Sequence, residues 1–336
     1  MELSIIVPVY NCIDFLPKLA DTLKDLQGED GEIILVDDGS SDGSGAYCDK
    51  IAQENNRVRV LHKPNGGVSS ARNMGLVAAK GAFVGFMDAD DSAKPHMYQR
   101  LMASAQTHNS DLVMGGYEKV DNSSSTPVSI PLDPVTSEKS AIQKIAWSMA
   151  FWNAWADGAF CPTLYGSVWP NLYRRELIET HNIRFPEGIA IGEDLLFNLE
   201  YLFHTKMVSV VNEPLYRYNI ANSSATRRQN KTLWQRYCAL LDREEALLLA
   251  QYGSGQDLTY NLHRQRIYYA VNVGEEQLCV FLKGREAIQA LRKLCADPNL
   301  QKSAKYLMKN GKNWKERMQA ALIRGKFAEV IHLWLK

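Results

Sequence analysis

The sequence predicts an α/β fold in which a doubly wound, mostly parallel sheet is followed by a C-terminal helical region. Over the first ninety residues, short runs rich in isoleucine and valine alternate four times with segments whose apolar residues recur every three or four positions. From about residue 232 onward, only the helical spacing remains. Strands that alternate with helices form parallel sheets with helices on both faces. We therefore expect a sheet domain over residues 1–230 and a helical region over residues 231–336.

The predicted strands and helices of this first part follow one another closely. The first strand, SIIVPVY, begins almost at Met1, and its apolar run suits a strand that is buried on both faces. The later strands are GEIILVD, VRVLHK and AFVGFM, and the helices between the four strands are FLPKLADTLKDL, SGAYCDKIAQEN and VSSARNMGLVAAK. Gly81 follows the third helix at a position typical of a C-cap. DLVMGGYEKV adds a strand, and the polar, proline-containing DNSSSTPVSIPLDP predicts an excursion or loop.

Length and composition indicate an ordinary globular protein. The 336 residues, 46% of them hydrophobic, can bury one large core with an accessory region or two modest domains. The six cysteines lack C-x-x-C and histidine-paired spacings, which argues against a disulfide framework or a structural zinc site and favours a reducing cytosol. Because the sequence has no run of about 18 apolar residues and no cleavable cationic leader, we expect neither a membrane-spanning segment nor secretion.

Acidic residues follow two of the predicted strands. Asp37 and Asp38 end the second strand, and Asp88, Asp90 and Asp91 follow the fourth. Because ligands of such sheets bind beyond the carboxyl ends of the strands, both clusters point to one crevice. Carboxylates this close repel one another, and a hard cation such as Mg²⁺ would relieve the repulsion. A solvated turn after each strand is the alternative.

Two common ligand-binding motifs are missing. The first strand is not followed by G-x-G-x-x-G, and the chain contains no P-loop. These absences argue against dinucleotide oxidoreductases and P-loop NTPases. A nucleoside-diphosphate ligand that is held through a divalent ion remains.

Five segments, in this order and spacing, resemble the inverting glycosyltransferases of family 2, which have the GT-A fold. They are SIIVPVYN, ILVDDGSSDGS, NGGVSSARNMGLVAAKG, FVGFMDADD and GEDLLFNLEYL, and the similarity covers roughly residues 3–225. The resemblance implies a UDP-linked sugar as donor and Mg²⁺ or Mn²⁺ as cofactor. It also implies transfer with inversion to a hydroxyl of a glycan or lipid-linked saccharide, as in bacterial polysaccharide or lipopolysaccharide synthesis.

The resemblance further implies a nucleotide site at the ends of the first strands. Pro8 and Tyr10 would line the base pocket, where Tyr10 offers a ring face, and Asp38 would accept a hydrogen bond from the uracil N–H. Arg72 would lie near the nucleotide and its phosphates. Residue type and position alone leave other interpretations open, namely Tyr10 in the core, Asp38 as a turn-former and Arg72 as a surface charge on a helix.

Asp88, Ala89 and Asp90 match the D-x-D motif of the family. The resemblance implies that Asp90 holds the metal most directly and that Asp88 contacts the ribose or the waters of the metal. These roles would explain the acidic cluster, because the metal neutralises the charge of a departing diphosphate.

Transfer also needs a carboxylate that removes the proton of the acceptor hydroxyl. Glu193 and Asp194 precede a predicted helix, and the N-terminus of a helix keeps acids ionised. The resemblance implies that Asp194 is the general base and that Glu193 orients the acceptor or caps the helix. A simple N-cap is the alternative for this pair.

The predicted acceptor side departs from the family pattern at one position. Asn171 stands in VWPNLYRREL where the family commonly has lysine, so no phosphate contact is carried over to it. Trp169 would form the floor of the acceptor pocket. Arg217 and Ser223, in YRYNIANSSATRR, would close over the diphosphate.

The chain has no net charge, but its C-terminus is basic. Residues 302–336 contain nine Lys or Arg and two Glu, about +7, which leaves about −7 on the remainder. The apolar residues of this tail predict either helices docked on the core with a solvated basic side or a basic amphipathic helix on an anionic membrane surface. The second interpretation places the protein on the inner face of the cytoplasmic membrane. Nucleic acid is not expected as a partner, because the body is acidic and has no reading motif.

Two function classes therefore remain. The first is a cytoplasmic glycosyltransferase at the membrane, and the second is a non-catalytic protein of this fold that binds a nucleotide sugar or glycan. The presence of both the D-x-D motif and the Glu-Asp pair favours the enzyme, because a binding protein needs no general base.

Overall fold

The computed structural model describes residues 1–25, 30–121, 123–151, 166–220, 232–274, 282 and 284–334. The chain packs in two compact units. One comprises the described residues of Met1–Ala150, Cys161–Gly188 and Gly192–Ser224, and the other those of Phe151–Phe160, Ile189–Ile191 and Ala225–Lys336. The predicted domain boundary at residue 230 lies outside the described residues and stays a prediction.

The described part of the first unit is built around one mixed sheet with the strand order β3-β2-β1-β4-β9-β6-β10-β5, in which β7 pairs with β6 and β8 pairs with β10. The strands are β1 (Leu3–Val9), β2 (Gly31–Asp37), β3 (Val58–His62), β4 (Phe83–Phe86), β5 (Ser92–Ala93), β6 (Leu112–Val120), β7 (Ser125–Val128), β8 (Val135–Thr136), β9 (Asn171–Arg174) and β10 (Val208–Asn219).

The helices of the first unit connect these strands. They are α1 (Leu16–Asp25), α2 (Ser44–Glu54), α3 (Val68–Ala78), α4 (Met97–His108), α5 (Lys139–Ala150), α6 (Arg175–Thr180) and α7 (Glu193–His204). The predicted alternation of strand and helix over the first ninety residues is confirmed, and β1 pairs in parallel with both β2 and β4. The apolar side chains of α1 at Leu16, Leu19 and Leu23 are buried in the core of this unit.

The sheet departs from the parallel pattern at β9. This strand runs antiparallel to both of its neighbours, so Leu172 lies opposite Gly85 of β4 and Val113 of β6. Its N-terminal end therefore lies beside the carboxyl end of β4. As a consequence, the segment before β9, including Val168 and Trp169, reaches the same edge of the sheet as Asp88.

The segment predicted as an excursion or loop, residues 121–134, contains one short strand, and another follows it. Residues 125–128 form β7, which pairs with the end of β6, and residues 135–136 form β8, which pairs with the start of β10. The prediction of a loop was wrong at residues 125–128 because pairing with a longer strand supplies hydrogen bonds that local propensity does not reveal.

The second unit is helical where it is described, as predicted. Its helices are α8 (Leu233–Tyr252), α9 (Gln256–Val273), α10 (Arg285–Cys295), α11 (Pro298–Asn310), α12 (Trp314–Arg324) and α13 (Ala328–Trp334). Their buried side chains, among them Leu291, Leu307 and Ile323, form a core of their own. No helix in the described part of the chain is both long enough and apolar enough to cross a bilayer.

Gly81 has a packing role, and its predicted role as the C-cap of α3 was wrong. The helix ends at Ala78 with Ala79 as its C-cap. Gly81 instead donates its backbone N–H to Ser4 Oγ at 2.8 Å. A Cβ at this position would lie 2.5 Å from the backbone of Leu3 and Ser4, too close for any side chain.

We expect Gly81→Ala to destabilise the first unit by about 1–3 kcal/mol, because the added methyl group meets backbone that cannot move aside. Urea denaturation of the purified protein measures the change. Gly31→Ala is the matched control, since its Cβ would lie at an ordinary 3.4 Å from Leu3 O. Equal stabilities of the two variants would contradict this explanation of Gly81.

Candidate active site

Side chains from three elements meet at the carboxyl edge of the sheet. Asp88 follows β4, Arg72 comes from α3, and Glu193 and Asp194 are the first two residues of α7. The Arg72 side chain is only 3% exposed. Its Nη2 donates to Asp88 Oδ1 at 2.9 Å, and its Nη1 donates to Glu193 Oε1 at 3.1 Å and Asp194 Oδ1 at 2.5 Å. The predicted D-x-D motif and the predicted Glu-Asp pair are thus joined through one guanidinium.

The ionisation of this cluster follows from burial and from charge. Burial alone would lower the pKa of Arg72, but the carboxylates of Asp194, Asp88 and Glu193 raise it above its usual range. Burial raises the pKa of Asp194 to about 8, and the Arg72 guanidinium works against that rise. An acid with such a pKa exchanges protons near neutral pH, as a general base requires.

The start of α7 does not use its acids as an N-cap. Gly192 is the N-cap residue, has a φ of 81°, and no side chain caps the helix. The left-handed backbone at this position favours glycine. It leaves the side chains of Glu193 and Asp194 to bind Arg72, so the N-cap interpretation of the pair was wrong.

The three acids after β4 have different surroundings. Asp88 is about one-third exposed. Burial and the charge of Asp88 both raise the pKa of Asp90. Burial, followed by the charge of Asp88, raises the pKa of Asp91 to about 8. Asp91 accepts hydrogen bonds from Tyr216 Oη and from the Asn219 backbone N–H, both at 2.8 Å, and so fastens β10 to this edge.

The acids at the end of β2 organise the neighbouring loops. Asp38 is buried and accepts hydrogen bonds from the backbone N–H groups of Gly66 and Gly67 at 2.9 and 2.7 Å, and from Lys63 Nζ at 2.5 Å. It thereby shapes the distant loop that leads into α3. The turn-former interpretation was wrong for Asp38, because the local turn after β2 is made by Asp37, whose Oδ1 accepts the Ser40 backbone N–H at 3.0 Å. The contact of Asp38 with a uracil ring stays a prediction.

Pro8 and Tyr10 lie at the end of β1. Pro8 is half-buried in the strand, and Tyr10, just beyond it, is 52% exposed. The interpretation of Tyr10 as a core residue was therefore wrong. The exposed ring suits the predicted stacking on a base, which stays a prediction. Arg72 is likewise not the surface charge that its position in a helix also suggested.

The residues predicted on the acceptor side are buried, unlike Tyr10. Trp169 is only 6% exposed and stacks on Tyr216 and Tyr218, with ring centroids 4.4 and 5.5 Å away. Asn171 is buried and donates to Tyr173 Oη at 3.1 Å. Asn171 is uncharged, so this position lacks the positive charge of the lysine that the resemblance led us to expect. The role of Trp169 as the floor of an acceptor pocket stays a prediction.

Arg217 lies on β10, where its Nε donates to Glu118 Oε1 at 2.8 Å. Closure of Arg217 over a diphosphate stays a prediction, and Ser223 lies outside the described residues. Sequence reasoning also missed Lys63 and Tyr216, which hold Asp38 and Asp91 in place. No motif marks either residue, because each acts through a partner that is distant along the chain.

The residues that match D-x-D suit a divalent ion only in part. In the described ranges, no three His, Cys, Asp or Glu side chains are grouped to hold a metal. Asp88 and Asp90 supply carboxylate oxygens, and the charge of Asp88 raises the pKa of Asp90, a repulsion that a cation would relieve. Mg²⁺ commonly completes its coordination with water and substrate phosphates, so two carboxylates are compatible with such a site.

The chain is similar to known glycosyltransferases in sequence and in structure. The uncharacterized glycosyltransferase EpsJ of Bacillus subtilis (strain 168) is 32% identical over 304 residues, 90% of this chain and 80% of EpsJ. Staphylococcus aureus TarS 1–349 in complex with UDP-GlcNAc has a TM-score of 0.68 at 19% identity, over 99% of this chain and 90% of TarS 1–349.

A mannosyltransferase of Pyrobaculum calidifontis in complex with GDP-Man and Mn²⁺ has a TM-score of 0.52 at 17% identity, over 99% of this chain and 87% of that enzyme. These structures support the GT-A fold. The model of the family described as glycosyl transferase family 2 matches residues 4–150. On this match and its identity to EpsJ, the chain belongs to glycosyl transferase family 2 and is a glycosyltransferase with the GT-A fold.

Proposed function

We propose that this glycosyltransferase moves a sugar from a UDP-sugar to a hydroxyl of a glycan or lipid-linked saccharide, with inversion at the anomeric carbon, in cell-surface polysaccharide synthesis. The observation that carries the proposal is the convergence of Asp88, Arg72 and Asp194 at the carboxyl edge of the sheet. The similarity to TarS, which binds UDP-GlcNAc, supports a UDP-sugar as the donor.

The chain's own residues divide the work between the donor and the acceptor. Tyr10, Pro8 and Asp38 lie at the ends of β1 and β2, where they would hold the nucleotide. Asp194 would take the proton of the acceptor hydroxyl as the new bond forms. In a single displacement, the acceptor oxygen attacks from the face opposite the leaving group, so inversion requires the base and the diphosphate to lie on opposite sides of the sugar.

Asp90 and Asp88 would hold Mg²⁺ or Mn²⁺ together with oxygens of the donor. When bound, the ion supplies positive charge to the departing diphosphate. Arg72 does not replace it, because its guanidinium is already balanced by three carboxylates.

A donor screen tests the proposed substrate class. The purified protein is incubated with UDP-, GDP- and dTDP-sugars, with and without Mn²⁺. Metal-dependent hydrolysis or transfer from a UDP-sugar supports the proposal. Turnover of a GDP- or dTDP-sugar alone would contradict it.

We further propose that the enzyme lies in the cytoplasm, on the inner face of the cytoplasmic membrane, and contacts it through residues 302–336. The described helices of this segment are docked, since Ile323 and Ile331 are buried. Trp314 and Phe327, however, are 75% and 54% exposed, and Lys312, Lys315 and Lys326 beside them are exposed too. Exposed aromatic and basic side chains together suit an anionic lipid surface. The Trp334 side chain lies outside the described residues.

Removal of the Asp90 carboxylate tests whether this residue holds a divalent ion at the donor diphosphate. We expect Asp90→Ala to fold and to lose about a hundredfold or more in rate, because the leaving group then lacks its counter-charge. We also expect Mn²⁺ to raise the melting temperature of the wild-type protein but not that of Asp90→Ala. Asp21→Ala, at an exposed carboxylate of α1, is the control. Wild-type activity in EDTA would refute the metal role.

Loss of the base tests the acceptor side. Asp194→Asn keeps the size of the side chain but cannot take a proton, so we expect transfer to fall by about two to four powers of ten. UDP binding, measured by calorimetry, should remain. Glu187→Gln, an exposed site before α7, is the control.

The pH dependence and the product give two further checks on Asp194. The base works only when it is ionised, and its pKa is raised to about 8, so the rate should climb as pH rises towards 8. The product should have the inverted anomeric configuration by NMR. A retained configuration, or near-normal transfer by Asp194→Asn, would contradict the mechanism.

The membrane contact is tested with exposed residues, because removal of α12 and α13 would open the core that contains Ala320 and Ile323. We expect Trp314→Ser/Phe327→Ser to reduce sedimentation with phosphatidylglycerol vesicles severalfold at low salt. Added salt should weaken wild-type binding, since the charges are screened. Val77→Ser, at a site that is 76% exposed on α3, is the control. Equal binding by all three proteins would eliminate this surface.

A further inference from the structure

Arg72 is buried beneath the proposed catalytic acids, and its contacts differ from those of a residue that binds phosphate. Nη1 and Nη2 both donate to carboxylates of the protein. Nε is covered as well and has no hydrogen-bond partner among the described residues. The Phe185 ring lies against the guanidinium, and its centroid is 5.2 Å from Arg72 Cζ. The whole group therefore faces protein.

We propose that Arg72 is a positioning residue that orients the Asp194 carboxylate for proton transfer and does not bind the donor. The inference rests on the proposed function, because it takes Asp194 as the general base. It assigns to Arg72 a task different from the phosphate contact that the family resemblance implies.

The contacts of Asp194 indicate which oxygen receives the proton. Oδ1 accepts the short hydrogen bond from Arg72 Nη1 at 2.5 Å. Oδ2 accepts only a long one from the Val168 backbone N–H, at 3.4 Å, among the contacts that the structure describes. A carboxylate whose Oδ1 is held by a charged donor presents Oδ2 as its more basic oxygen. The planar fork of Arg72 thus fixes the rotation of the carboxylate and leaves Oδ2 to the acceptor hydroxyl.

Arg72 also holds Asp88, which faces the donor side. One rigid group therefore ties the proposed base to the start of the D-x-D motif, and it fixes the distance between them. Rate depends steeply on the placement of a catalytic group, because a misplaced base cannot reach the attacking oxygen. This predicts a loss in kcat without a loss in donor binding.

The test compares kcat with UDP affinity in Arg72→Met. We expect kcat to fall on the order of a hundredfold while the Kd for UDP with Mn²⁺ changes by less than about threefold. Arg266→Met is the matched control, because Arg266 is also 3% exposed and bridges two carboxylates, Asp242 at 2.8 Å and Glu245 at 3.0 Å, in the second unit. Its kcat should stay at the wild-type value. A tenfold weaker affinity for UDP in Arg72→Met would overturn the proposal.

A double variant tests whether Arg72 acts through Asp194. In the Asp194→Asn background, Arg72→Met should lower kcat by less than about threefold further, because there is no base left to position. A second loss as large as in the wild-type background would show an independent role and contradict the inference.

Two outcomes separate this inference from the proposed function. Near-normal transfer by Asp194→Asn would show that Asp194 is not the general base and would overturn both proposals. If Asp194→Asn is inactive and Arg72→Met is fully active, only the positioning role of Arg72 is overturned.

A second variant covers the case in which Arg72→Met does not fold. Arg72→Lys keeps the charge but lacks the planar fork, and we expect its kcat to be at least about tenfold below wild type. A wild-type rate in folded Arg72→Lys would also overturn the proposal.

Discussion

The burial of one guanidinium among three carboxylates is the interaction on which the site depends. Taking such charges out of water costs several kcal/mol per ion, and only close, well-oriented partners offset it. Arg72 has those partners, but they lie 16, 121 and 122 positions away along the chain. The network therefore forms only when α3, β4 and α7 have packed on the same sheet, and loss of one partner leaves buried charge behind.

The charges of this cluster do not balance within the described residues. Asp88, Glu193 and Asp194 share the one guanidinium of Arg72, and Asp90 and Asp91 follow Asp88 along the chain without a hydrogen bond to Arg72. Burial, together with the charge of Asp88, raises the pKa of Asp90 and of Asp91. Like charges that are held together repel one another. The described residues therefore leave an unfavourable excess of negative charge at this edge of the sheet. A divalent cation at the D-x-D motif would restore the balance, which agrees with the proposed donor chemistry.

The sequence revealed the parts of the structure that rest on local patterns. Apolar runs and helical spacing predicted β1 to β4 and their helices, and adjacent acids at strand ends predicted where the site lies. It did not reveal the antiparallel β9, because Asn171–Arg174 is too short to show a period. Nor did it reveal that Arg72 joins Asp88 to Asp194, or that Trp169 stacks on Tyr216. These contacts depend on which strands become neighbours, and no single segment encodes that.

The acids that follow one another in the sequence do not share a task, because the chain turns sharply where a strand ends. Asp37 binds the His62 ring at 3.0 Å, whereas Asp38 binds the loop at Gly66 and Gly67. In the same way, Asp91 holds Tyr216, and that hydroxyl accepts the backbone N–H of Asp88 at 3.2 Å. Asp91 thus secures the backbone that presents Asp88, and Asp38 secures the loop that leads into α3. An acid-rich strand end is therefore partly framework, and only part of its charge is available to a ligand.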